Sequence, residues 1–211
     1  MVSYTSLCIA LGLLSLTSAT PLAKHQAQGR SASPILVKKD TEVAEAAAAF
    51  KCQIQTGTNV FRPHLAGWNP TKQEVEMAVT AWLNEVCTVN DFLNSKGTSL
   101  AVATAWATDE PNELAILSAV KGLSKEGQNA AAVLRANFPS VLGNLDNIKT
   151  GSAPTKDASA AINFDRCCQV VPSVAVLVDA AVKATGAFGG VAPKPEYPNV
   201  CSRFECSVAS I

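Results

Sequence analysis

Two cysteines stand side by side in the stretch "NFDRCCQVVPSV", at positions 167 and 168. Consecutive Cα atoms lie about 3.8 Å apart, closer than a disulfide normally spans. Consecutive side chains on a helix also diverge by about 100°. Cys167 and Cys168 are therefore expected to take different partners, and a fold must bring two further cysteines to one point on the chain. Whether such bridges form depends on the compartment.

The chain opens "MVSYTSLCIALGLLSLTSA", an apolar run from Leu7 to Leu16 followed by small residues at Thr17 and Ala19. This reads as a secretory signal peptide over residues 1–19, cleaved before Thr20, with the free amine standing in for a basic residue. Removal of Cys8 leaves Cys52, Cys87, Cys167, Cys168, Cys201 and Cys206, an even set in an oxidising compartment. Three disulfides are expected among fifteen possible pairings. A bridge from Cys87 to Cys167 or Cys168 would close a loop of about 80 residues and stabilise by roughly 4 to 5 kcal/mol. The most apolar later segment, residues 168–182, is too short for a membrane span and carries Pro172 and Asp179. The C-terminus lacks the hydrophobic tail of a lipid anchor. The expected location is extracellular or cell wall, with no transmembrane segment.

The alternatives for the cysteine pair are weaker. A zinc site would need histidines or a CxxC spacing, and the chain has only His25 and His64, with neither CxxC nor HxxxH. No metal and no cofactor are expected. Lys plus Arg equals Asp plus Glu, at 17 each, so charge offers no case for nucleic acid or an anionic surface. The partner class that remains is an extracellular protein, a surface or an apolar small molecule.

Residues 20–50 are read as a flexible N-terminal arm, in which Lys38 and Lys39 are either surface charge or a dibasic processing site. A helical domain is expected over 51–186 and an irregular tail, tied by disulfides, over 187–211. Its first long helix follows "TKQE", where Thr71 and Glu74 form a capping box. Val75, Val79, Trp82, Val86, Val89 and Leu93 then make one stripe until Gly97. Further helices are read over Ser99–Thr108, from Asp109 and Pro111 to Gly122, over "SKEGQNAAAVLRANF", over "PSVLGNLDNIKTG", and on either side of Pro172 up to Gly186. Pro172 should kink or break the last pair. The fold class is all-α: a disulfide-stapled bundle of six or seven short helices with irregular N- and C-terminal arms.

A catalytic constellation is not legible. His64, in the loop "TGTNVFRPHLAGWNP", lacks a GxSxG partner. Glu74 and Glu76 diverge on one helix, Asp109 with Glu110 reads as helix capping, and Asp179 reads as a surface partner of Lys183. Trp82 and Trp106 occupy core positions, whereas Trp68, near Phe61 and His64, is the one candidate for an exposed aromatic contact. His64 and Trp68 are thus the possible ligand contacts.

The segments "VNDFLN", "ATDEPNELAIL", "NFPSVLGNLDNI" and "INFDRCCQVVPSV" resemble a family of small secreted, Ala-rich helical proteins of filamentous ascomycete fungi, over roughly residues 70 to 185, with "PEYPNVC" similar in style. The resemblance implies a secreted helical protein and carries no catalytic residue. The expected function is non-enzymatic extracellular binding or interaction, effector-like, at a cell wall or surface, or with an apolar ligand. The alternative is a secreted hydrolase built around His64 and Trp68.

Overall fold

The computed structural model describes residues 50–54 and 68–206. The expected signal peptide, most of the expected arm with Lys38 and Lys39, both histidines and Phe61 lie outside the described residues.

The described residues are helical, with no strand among them. Helix α1 spans Lys72–Leu93. Thr71 caps it as the spacing predicts: its Oγ1 accepts from the Glu74 N–H, and its own N–H donates to the Glu74 carboxylate at 2.7 Å. The helix ends four residues before Gly97. Asp91 accepts from both the N–H and the hydroxyl of Thr98, at 2.9 and 2.6 Å, and folds the chain back while Ser95 takes a left-handed φ of 55°.

Helix α2 spans Leu100–Ser118 and α3 spans Lys125–Thr150. Each replaces two expected helices, because Pro111 and Pro139 lie inside them without ending them. An internal proline costs about 3 kcal/mol, but the apolar face continues on both sides of each. Ala107 and Leu114 flank Pro111, Phe138 and Val141 flank Pro139, and all four are buried. Packing outweighs the lost donor.

After Gly151 at φ 70°, α4 covers Thr155–Asp165 and α5 covers Val171–Thr185, joined without interruption by a π turn over Arg166–Val170. The Val171 N–H reaches back to the Arg166 carbonyl, five residues away. This wider turn accommodates Pro172, which lacks a donor for the carbonyl of Cys168 and would crowd it. The expected break is an added residue instead. Among the described residues the result is four long helices, with α4 and α5 counted as one, not six or seven short ones. The continuous helix Thr155–Thr185 is also long and apolar enough to cross a membrane by length and composition, but 56% of its apolar window is buried in the bundle.

Helix α1 packs on α2, α2 on α3 and α3 on both α4 and α5, and α5 returns to α1. Short connections between neighbours make this an up-and-down bundle. Helix α1 is its centre: Trp82 through Asn90 are all buried, covered by α2, α5, residues 50–54 and the C-terminal tail. At Gly127 the backbone of α3 lies so close to α5 that an added Cβ would meet the Ala180 Cβ at 2.5 Å.

Candidate functional site

The six cysteines among the described residues are all paired: Cys52 with Cys87, Cys167 with Cys201 and Cys168 with Cys206, at Cα separations of 5.8, 5.1 and 5.2 Å. The adjacent cysteines take different partners, as chain geometry requires. Cys87 does not reach them. It anchors the segment before α1, while the vicinal pair holds the tail with two interleaved bridges. Glu196 lies against the Cys52–Cys87 bridge, whose sulfurs, being bonded to each other, are not thiolate ligands.

Trp82 and Trp106 are buried, as their positions in the pattern predict, and Asp179 pairs with Lys183 at 2.8 Å on the surface. Trp68 is half-buried against the hydrophobic core. His64 lies outside the described residues, so no geometry joins it to Trp68.

The structure assembles a polar seam at the centre of the bundle that sequence periodicity did not reveal. Arg166, fully buried, donates through Nη1 to Glu110 Oε1 at 3.1 Å and through Nη2 to the Val86 carbonyl and Asn90 Oδ1, at 3.2 and 3.1 Å. The other Glu110 oxygen accepts from the Trp82 indole at 3.1 Å. Asn90 passes the network on to the tail by donating to the Glu196 carbonyl. Asp109 and Glu110 therefore do not cap a helix; they lie within α2, where burial raises the pKa of Glu110 and Arg166 and Trp82 oppose that rise.

Beside this pair lie three more carboxyl groups. Asp109 and Glu113, four residues apart, share one face of α2 and meet Glu85 on α1, with one oxygen from each within 4.8 Å of the others. Glu85 and Glu113 are buried, and no side chain outside this pair bonds to any of their four oxygens. Burial, reinforced by Glu113, Glu110 and Asp109, pushes Glu85 up to about 11. Burial likewise lifts Glu113 to about 8 and raises Asp109, against which the Asn112 amide acts. Burial thus favours a proton shared between Glu85 and Glu113, which would join the two carboxyl groups.

The sequence did carry a signal for this seam. Leu83, Val86, Cys87 and Val89 spread apolar residues around most of α1, and a helix apolar on several faces is buried on several faces. The polar residues among them, Asn84, Glu85, Thr88 and Asn90, are then interior as well.

On the outer side of α1 lies an open pocket of about 540 Å³. Met77, Ala81, Trp106 and Phe188 supply its apolar lining, and Glu76 and Asn84 are among its polar residues. Phe188 holds a left-handed φ of 50°, at the head of three successive positive-φ residues, and its N–H donates to Glu76 at 2.9 Å. That contact fixes the aromatic side of the pocket to α1.

Compared with protein-family models, curated proteins and solved structures, the chain matches none. Its function is therefore argued from the geometry of the seam and the pocket.

Proposed function

We propose that the chain is a secreted fungal binding protein without catalytic activity, and that the pocket beside Phe188 takes an apolar small molecule. The observation that carries this reading is the pocket itself. Its volume falls in the range of small-molecule sites. Exposed Met77 offers a side chain that adapts to irregular apolar shapes. Glu76 and Asn84 place polar groups where a ligand headgroup could be oriented. Three disulfides are compatible with an oxidising compartment.

The test begins with native mass spectrometry of the protein as secreted, followed by organic extraction and identification of any released compound. Binding of fatty acids and sterols is then followed by Trp fluorescence, with Thr80→Trp as a variant that fills the pocket from an exposed position. A stoichiometric apolar compound, displaced by Thr80→Trp in a protein of unchanged helicity, supports the reading. Absence of both co-purified compound and binding across the panel overturns it.

A further inference from the structure

We propose that Glu85, Asp109 and Glu113 form a binding site for a hard divalent cation of the calcium type, at the seam between α1 and α2 and separate from the apolar pocket. The three side chains come from two packed helices, and their offered oxygens lie within 4.8 Å of one another. A cation with oxygen ligands at roughly 2.3–2.6 Å can span that spacing. The donor set is all carboxylate, which selects calcium, magnesium or manganese over softer metals that favour nitrogen and sulfur.

A cluster of acids alone would not identify a site; the state of its atoms points to a ligand. Glu85 is fully buried, and no side chain outside its pairing with Glu113 bonds to either of its oxygens. The same holds for both Glu113 oxygens. Asp109 is half-buried, and its Oδ1 is tied to the Asn112 amide while Oδ2 has no partner. Arg166 does not bond to the three: its Nη groups are committed to Glu110, Asn90 and the Val86 carbonyl, and its Nε meets no acceptor. Buried carboxyl oxygens are ordinarily satisfied, because each unsatisfied one carries its full desolvation cost. A bound cation meets these oxygens at once, and Asp109, the most exposed of the three, marks the side from which it and its remaining waters would enter.

Protons compete for the same oxygens. A carboxyl group must be deprotonated to ligate a cation, so affinity rises with pH. The experiment uses the full-length, disulfide-bonded protein, freed of metal by chelation and titrated with Ca²⁺ and with Mn²⁺ at pH 5 and pH 8 by calorimetry in buffers of different ionisation enthalpy. One equivalent should bind at pH 8 with proton release, and about tenfold or more weaker at pH 5. Glu85→Gln with Glu113→Gln, which keeps shape and removes charge, should abolish binding. Tb³⁺ added to the unaltered protein gives a second readout, since Trp82 and Trp106 in the adjoining helices should sensitise its emission and Ca²⁺ should quench it by displacement. No binding at pH 8 with no sensitised emission overturns the proposal, as does undiminished binding by the folded double variant. In either case protons alone occupy the cluster.

Discussion

Arg166 Nη1 and Glu110 Oε1 meet at 3.1 Å with neither side chain exposed to solvent. Burying both charges is expensive, and the pair holds because two further acceptors serve the guanidinium and the Trp82 indole serves the second carboxylate oxygen. Together these contacts tie the π turn to both α1 and α2.

Removing one member should be far worse than removing both. Arg166→Met leaves Glu110 buried without its cation and should cost about 3 to 5 kcal/mol. Arg166→Met with Glu110→Leu should recover most of that loss. Urea unfolding with the disulfides intact measures both, and equal losses in the single and double variants would show that the pair adds nothing beyond its volume.

The acid cluster predicts an unusual pH profile. Glu85 and Glu113 bind protons more tightly folded than unfolded, so their contribution is complete below the unfolded value of 4.5 and is lost as pH rises through about 8 for Glu113 and about 11 for Glu85. The groups facing them are Asp109 and Glu110 on α2, with Arg166 from the π turn paired to Glu110. In chelator, stability should fall from pH 5 to pH 8, with a limiting slope of about 1.4 kcal/mol per pH unit for each retained proton. Glu85→Gln with Glu113→Gln should flatten the profile. A rise in stability over that interval would contradict the assignment.

Close approach of α3 and α5 makes Gly127 a packing requirement. Gly127→Ala adds a methyl group where Ala180 already sits, at a cost of roughly 1 to 3 kcal/mol. Ala180→Gly in the same protein relieves the overlap. Thermal melts of the two variants decide the point, and a Gly127→Ala protein as stable as the parent would mean that the helices separate freely.

Peptide mapping without reduction, with electron-transfer fragmentation to part the adjacent cysteines, should return Cys52 with Cys87, Cys167 with Cys201 and Cys168 with Cys206. Replacing Cys52 and Cys87 by serine opens a loop of 35 residues and should cost about 4 kcal/mol by loop-closure entropy. A Cys87 peptide linked to Cys167 or Cys168 would refute this connectivity.

What could be read from the chain depended on whether the deciding interaction was local. The Thr71 and Glu74 cap, the stripe along α1, the burial of Trp82 and Trp106, the Asp179–Lys183 pair and the separate partners of Cys167 and Cys168 all follow from spacing over a few residues. Helix number did not. Pro111, Pro139 and Pro172 are local breakers, and their tolerance depends on packing contributed by other helices and, at Pro172, on a π turn that leaves no pattern in the sequence. The seam was missed for a related reason. Glu110 reads as a cap until Arg166, 56 residues away, is placed against it.

The bridges also divide the polypeptide in a way the helices do not. One covalent loop closes over residues 52–87 and two overlapping loops close over 167–206, leaving the whole stretch from 88 to 166 outside any ring. A single nick there would leave two fragments with no covalent bond between them, so their association would rest on the core and on polar contacts such as those of Arg166, of Asn90 with Glu196 and of Phe188 with Glu76. The chain is thus suited to division into complementing halves, each carrying its own staples, whose reassembly would report directly on how strongly the middle of the bundle holds.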